Sequence, residues 1–451
     1  MIAIAHGSTA DATGRDRSLT VANILRRYVD RYQADGYRIT PLQQEVLHKI
    51  LICRTPVLGG HHWRCPKCEG EAILYNSCKH RHCPTCGGAY KSRWIERIET
   101  TLLPVNYFHL VFTLPSELRS LALANPWSVF GLLFRASSRA AIELGRERLG
   151  AQLGLVGVLH TWGQDMEALH PHIHYFCPGG GLAVDGSGWI NAPGRDQLID
   201  VDALRTRFRD LFIEGLEQLY GENLADQERP WERSSPIPES RRLWFQGRLA
   251  HLADPQTFAQ WLAPLRTRTW MVDCQGPPTE QANGIAAIKY VAGYVRGTAI
   301  TDARIVADDG ENVTFKVKDY RNGGVETQCT ISGIEFVRRF LQHILPKGFQ
   351  RLRYAGMFSS RTKAQNLTRC RELLEEVVQD PELECGDQKP DEPRMVGPTC
   401  AACQREMEWV VEIPAMEDWR RGRSTTAHLA RRCAPGTPPR PPPVMTEGRS
   451  S

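Results

Sequence analysis

The chain has 451 residues, 41% of them hydrophobic and 24% charged, with a formal net charge of +5. That balance supports real hydrophobic cores and excludes a wholly disordered chain, and the length predicts two or three domains. No run approaches the roughly 18 uninterrupted apolar residues of a membrane span. The opening segment, MIAIAHGSTADATGRDR, lacks the basic start and apolar run of a secretory signal, which predicts a reducing compartment without disulfides and no membrane partner.

In chain order, residues 1–19 read as a disordered tail. Val21, Ile24, Leu25, Tyr28, Val29 and Tyr32 recur at helical spacing, and a second helix is predicted from Pro41 to Ile52. A Cys/His block fills 53–86. YFHLVFTL, Tyr107–Leu114, reads as a buried strand, and 127–147 as a helix. Leu155–Trp162 and His170–Cys177 read as two strands of a hairpin around DMEA. Helices are predicted over 201–220, 255–266, 284–296 and 332–345, with a strand over Thr267–Asp273. Residues 334–370 carry eight Lys/Arg against Glu335 alone, whereas 371–396 carry three basic and nine acidic residues. The first stretch suits an anionic partner and the second an acidic linker, 371–398. A CAAC pair lies in a small extension, 399–435, and a Pro-rich tail ends the chain at 436–451.

Six of the 14 cysteines fall between Cys53 and Cys86. Cys65-x2-Cys68 and Cys83-x2-Cys86 have the spacing of two knuckles that meet at one tetrahedral, structural Zn2+. The remaining Cys53, Cys78, His61 (or His62) and His82 (or His80) interleave with them, an order that allows a cross-braced second zinc. The plain alternative is that Cys53 and Cys78 pack beside the first site and the histidines face solvent or DNA. Neither site leaves an open position for catalysis.

His170, His172 and His174 alternate, so in a strand they face one way. His172-Ile173-His174 is the HUH pattern, two imidazoles flanking a bulky hydrophobe, and it can hold a divalent ion with positions open for substrate oxygens. A third ligand is needed. Gln164, at the end of the neighbouring strand, is the candidate, with His170 competing although Pro171 disturbs the ladder there. The mixed nitrogen and oxygen set suits Mg2+ or Mn2+.

In GIAAIKYVAGYVRG, residues 284–297, Ile285, Ile288, Val291, Ala292 and Val295 form an apolar stripe. Tyr290 and Tyr294 sit one turn apart, about 6 Å along the axis, on the opposite face. Lys289 and Arg296 flank them and can hold phosphate. A phenol of pKa about 10 attacks phosphorus poorly unless a metal polarises the phosphate.

Taken with the order of the motifs, CRTPVLGGH, YNSCKHRHCPTC, LHTWGQ with HPHIH, KYVAGYVRGTAI and EFVRRFLQHILPKGFQRLRYAGMFSS, residues 20–365 resemble the two-tyrosine HUH transposases of rolling-circle insertion sequences, the insertion sequence 91 family. The resemblance implies an α+β fold, an antiparallel-sheet HUH endonuclease palm over 101–370 preceded by a helical and zinc-binding domain over 20–100. It implies a nucleoid-associated bacterial transposase that nicks and joins single-stranded DNA at element ends and target through a 5′-phosphotyrosine. Tyr290 and Tyr294 take the nucleophile positions, and His172 and His174 the metal positions. Gly293 and Gly297 depart from the family's basic residues in this helix. The basic stretch, with Arg338, Arg339, Lys347, Arg351 and Arg353, reads as an apolar face turned inward and cations turned to DNA. The CAAC pair with Cys433 or His428 would make a further small zinc site. The rival readings are a plasmid rolling-circle replication initiator or relaxase of the HUH class, and a non-catalytic zinc-dependent DNA-binding protein.

Overall fold

The structure is a computed structural model that describes residues 19–87, 98, 102–163, 166, 169–228, 238, 241–277, 298–319, 324–375 and 397–416. Gln164 and the whole 284–297 segment lie outside those residues.

The chain opens on two capped helices. The Thr20 hydroxyl accepts from the Asn23 amide at the start of α1 (Val21–Ala34). Thr40 and Gln43 form a capping box, with Pro41 at the first turn, on α2 (Pro41–Leu51). All six apolar residues expected on α1 are buried. Their partners are distant in sequence. A three-stranded antiparallel meander, β9 (Ile305–Asp308), β10 (Asn312–Asp319) and β11 (Val325–Ser332), and α7 (Gly333–Gln342) share one core with α1 and α2. Tyr28 donates to Asp308 Oδ1 at 2.7 Å, and Gln43 Nε2 to the Leu341 carbonyl at 3.2 Å. The helices α1 and α7 touch at Gly333, where a Cβ would lie 2.2 Å from the Tyr28 ring. The meander was not anticipated, although the alternation in NVTFKVKD and VETQCTIS around Asn-Gly-Gly carries its signal.

The second core surrounds a seven-stranded antiparallel sheet in the order β7-β6-β4-β5-β3-β8, with β12 also on β4. Its strands are β3 (Tyr107–Thr113), β4 (Ala151–Trp162), β5 (Leu169–Pro178), β6 (Gly180–Ala183), β7 (Trp189–Asn191), β8 (Met271–Gln275) and β12 (Leu352–Gly356). On one face, Leu110, Phe112, Leu159, Ile173 and Tyr175 pack with α3 (Arg119–Ala124), α4 (Pro126–Leu144), α5 (Val201–Glu228) and α6 (Pro255–Thr267). On the other, Tyr107, Val156 and Phe176 meet α8 (Lys363–Glu375) through Leu367, Cys370 and Leu374. Strand β8 starts later than the sequence predicts because α6, capped by Asp254, runs through Thr267. Gly157 lies where the Tyr175 ring crosses β4, and a Cβ there would meet it at 2.4 Å. Met166, between β4 and β5, is fully buried in the first core, so the tip of this hairpin is anchored outside its own sheet.

A small third sheet has β1 (Gly60–Arg64) at its centre, between β2 (Glu71–Tyr75) and β13 (Glu408–Ile413), both antiparallel to it. The expected units 20–100 and 399–435 are thus each completed by a distant stretch of chain. Among the described residues, no helix is long and apolar enough to cross a membrane.

Candidate metal centres and the histidine strand pair

The β4–β5 hairpin forms with the two strands the sequence suggests. Its register sets His160 opposite His172. Side chains alternate along each strand, so His172 and His174 share a face with His160. The ring centroids are 4.7 Å apart for His160 and His174, 4.8 Å for His172 and His174, and 5.2 Å for His160 and His172. One ring nitrogen from each lies within 4.8 Å of the others. His170 stands beside His172, centroids 5.0 Å apart, but is not part of this trio. Its carbonyl takes the Nδ1 proton of His172 at 2.6 Å, which fixes one tautomer and leaves Nε2 as that ring's ligand atom.

His109, on β3, stacks on His174 at 5.0 Å with rings 3° from parallel, and its Nε2 is 2.7 Å from His174 Nδ1. It sits diagonally across the β3–β5 pair, where His174 faces Val111. Burial, more than any neighbouring charge, lowers the pKa of His172 to about 4 and pushes His174 down as well. Burial also lowers His109, against the pull of Gln275 and Asp273 on β8. Buried neutral imidazoles are the protonation state a cation requires. Beside them, Arg351 donates to the Leu159 carbonyl through Nη2 at 3.1 Å, and the Leu159 amide returns a bond to the Arg351 carbonyl at 2.9 Å. That exchange pins the strand next to His160.

The cysteines group differently from the pairing expected on spacing. Cys65 and Cys68 do not meet Cys83 and Cys86. Cys83 and Cys86 join Cys53 and Cys78, and Cys65 and Cys68 join Cys400 and Cys403, each set with its sulfurs within 4.8 Å. The reason is the β1–β2 hairpin. Five residues of strand span roughly 17 Å, so it carries the 65–68 knuckle on its tip while Cys53 and Cys78 flank its base. His61 and His82 belong to neither set. His61 lies in β1 with its ring edge against Trp63, and His82 is buried against His80, centroids 5.5 Å apart. In the base set, Cys78 Sγ is 3.7 Å from Cys86 Sγ, and the Cys78 amide donates to Cys53 Sγ at 3.5 Å. Hydrogen bonds from Cys53, Cys78 and Cys83 hold the Cys86 thiol far below its ordinary range. Four crowded thiols stabilising a thiolate are the donor set of a closed structural zinc site. Cys433 and His428 lie outside the described residues.

The cations expected at a DNA surface are mostly turned inward. Glu335 pairs with both Arg338 and Arg339 at 2.6 Å. Arg351 is half-buried with its guanidinium on the Leu159 carbonyl, and Arg353 lies over the rings of Phe134 and Phe349, 4.4 and 5.2 Å from their centroids. Backbone carbonyls and aromatic faces inside the fold satisfy these guanidinium groups where DNA was expected to. Lys347 differs: its side chain is 83% exposed, with a 3.9 Å contact to Glu45. Lys289, Arg296, Tyr290, Tyr294 and Gln164 lie outside the described residues. Sequence reasoning missed His160, His109 and the partnership of Cys65 with Cys400. His160 was legible by counting the hairpin register back from its turn. The other two depend on strands that meet only in three dimensions.

Two family models match the chain. One, described as "Transposase zinc-binding domain", covers residues 24–114, and one described as "Putative transposase" covers residues 154–366. A protein of Sinorhizobium fredii (strain NBRC 101917 / NGR234), y4qJ, which carries the latter description, is 38% identical over 357 residues, 78% of this chain and 84% of its own. The transposase for insertion sequence element IS801 of Pseudomonas savastanoi pv. phaseolicola is 28% identical over 343 residues, 75% of this chain and 76% of its own. No solved structure gives a significant match. The zinc-binding model spans all six cysteines of 53–86, and with the clustered thiols it supports Zn2+ as a constituent of the protein.

Proposed function

This chain belongs to the insertion sequence 91 family of transposases, and from that premise we propose that it nicks and joins single-stranded DNA at the ends of its element by a rolling-circle route. Cutting, strand transfer and binding of the element's DNA come with the family. The chemistry and the single-stranded substrate are the finer reading. What carries it is the trio His160, His172 and His174 on two adjoining antiparallel strands, in a sheet we read as the palm of an HUH endonuclease. Both relatives are described as transposases, which does not favour a replication initiator.

Three clustered imidazoles, with His172 and His174 held neutral by their surroundings, fit a divalent ion. An all-nitrogen set suits a transition ion better than Mg2+, so Mn2+ is the better match of the two. The ion held by His160, His172 and His174 would polarise the scissile phosphate. Tyr290 or Tyr294 attacks phosphorus through its phenolic oxygen, and the 3′ oxygen leaves as a 3′-OH, giving a 5′-phosphotyrosine. The other tyrosine serves the second transfer. Lys289 and Arg296 hold the phosphate beside the pair, His109 keeps the His174 ring in orientation, and Lys347 contributes a backbone contact to DNA.

The test incubates the full-length protein with single-stranded oligonucleotides from its element's ends and Mn2+. A covalent 5′ adduct is expected, lost on combined Tyr290→Phe and Tyr294→Phe. An adduct that persists in the double variant, or forms without a divalent ion, overturns the reading.

A further inference from the structure

The zinc-binding family model ends at residue 114, yet the knuckle at the tip of the β1–β2 hairpin finds its partners some 330 residues later. Cys65 Sγ is 3.3 Å from Cys403 Sγ, and Cys68 Sγ is 3.5 Å from Cys400 Sγ. A tetrahedral zinc with Zn–S of about 2.3 Å spaces its sulfurs about 3.8 Å apart, whereas a disulfide holds them at about 2.05 Å. The sulfurs sit nearer the metal's spacing than the disulfide's.

The two knuckles are also the same piece of backbone built twice. The Cys65 amide donates to the Gly70 carbonyl at 2.8 Å, and the Cys400 amide to the Arg405 carbonyl at 2.7 Å. The Glu69 amide closes on the Cys65 carbonyl at 3.0 Å, and the Gln404 amide on the Cys400 carbonyl at 2.9 Å. The residue after each second cysteine is left-handed without being glycine, Glu69 at φ 57° and Gln404 at φ 59°, a strain that a metal-bound turn repays. In each knuckle two backbone amides aim at the first sulfur, from Lys67 and Cys68 onto Cys65 and from Ala402 and Cys403 onto Cys400.

Among the described residues, little else holds the C-terminal segment in place. Strand β13 pairs with β1 at the edge of the small sheet, and Trp409, Val410 and Val411 are all exposed. The buried residues beneath it are Trp63, Cys65, Cys400 and Met407, half of them the cysteines themselves. A core of that size does not offset the ordering of some 20 residues, which is the situation in which small domains take a structural metal.

We propose that Cys65, Cys68, Cys400 and Cys403 hold a second zinc as a closed tetrathiolate, and that this ion fastens the C-terminal strand Glu408–Ile413 onto the N-terminal hairpin Gly60–Tyr75. The chain is thereby drawn into a loop that encloses both the histidine trio and the acidic 371–396 stretch. The site does not depend on the DNA chemistry proposed above.

The test counts thiolate-bound zinc in the full-length protein, releasing it with a mercurial and reading it with a chromophoric chelator. Two zinc ions per chain are expected, falling to one in the Cys400→Ser, Cys403→Ser double variant. One ion in the wild type, or two in the variant, overturns the proposal, as does a Cys65–Cys403 or Cys68–Cys400 disulfide found by mass spectrometry of the unreduced protein. Because the variant could fail to fold, a second measurement uses wild-type ligands. A protease site inserted within 376–396 is cut in the folded protein. The C-terminal piece should co-elute with the remainder and separate when a chelator strips the zinc. A piece that separates at once while both ions stay bound refutes the staple.

Discussion

Replacing His160 with alanine separates the metal set read from the strands from the one suggested by the sequence. His160 is half-buried and lies outside all the apolar clusters, so its loss should cost the fold little. What it removes is one of three nitrogens that lie within 4.8 Å of one another. Losing a mere outer-shell partner of a metal costs 10- to 100-fold in affinity, so losing a ligand should cost about 100-fold, or about 2.8 kcal/mol. His109→Ala, which removes the ring nitrogen bonded to His174 Nδ1 but none of the trio's own nitrogens, should cost about tenfold on the same scale. Gln164→Ala should stay within about threefold. Mn2+ binding to the full-length protein, followed by the paramagnetic resonance signal of the unbound ion, reads all three, and the thiolate sites do not compete because they select softer ions. Thermal unfolding checks that each variant is folded. If His160→Ala binds Mn2+ as the wild type does, His160 is not a ligand. If Gln164→Ala then shows the hundredfold loss, the ligand set inferred from sequence is the right one.

Three further outcomes follow from the packing and the charges. Gly333→Ala drives a methyl into the Tyr28 ring, which the bond to Asp308 keeps from swinging away; it should cost about 3 kcal/mol, and unchanged urea unfolding would refute the close approach. Arg338, and then Arg339, hold the Glu335 carboxylate down to about 2. A carboxylate whose folded pKa is depressed stabilises above its unfolded value near 4 and loses that contribution as pH falls toward 2. Glu335→Gln should therefore lower stability by roughly 1 kcal/mol at pH 7, after discounting for its partial exposure. The gap should close between about pH 4 and pH 2, and a gap that persists at pH 2 contradicts the ion-pair account. Finally, Lys347→Ala should lower the salt dependence of DNA binding by about one phosphate contact. Arg351→Met should instead lower the thermal midpoint while leaving that slope alone, and the reverse pattern would return Arg351 to the DNA surface.

The local periodicities were legible without the fold. The buried stripe of α1, the Thr40 capping box, the strand at Tyr107 and the two strands around DMEA are consequences of side-chain spacing, capping groups and alternation, each encoded within a dozen residues. The HUH histidines were equally plain, because period-2 spacing fixes their common face whatever surrounds them. Which groups meet across long separations is a different kind of information. A CxxC knuckle states that it wants three or four sulfurs on one ion, but not which others. The rigid span of the β1–β2 hairpin decided that, carrying Cys65 away from Cys83 and toward Cys400. Net charge along 334–370 gave no hint that Arg351 and Arg353 would be consumed by a carbonyl and two aromatic rings. The sequence by itself determined the elements and the chemical vocabulary of this transposase. The tertiary structure alone decided the partners, because strand register and sheet order bring together residues between which no local spacing rule operates.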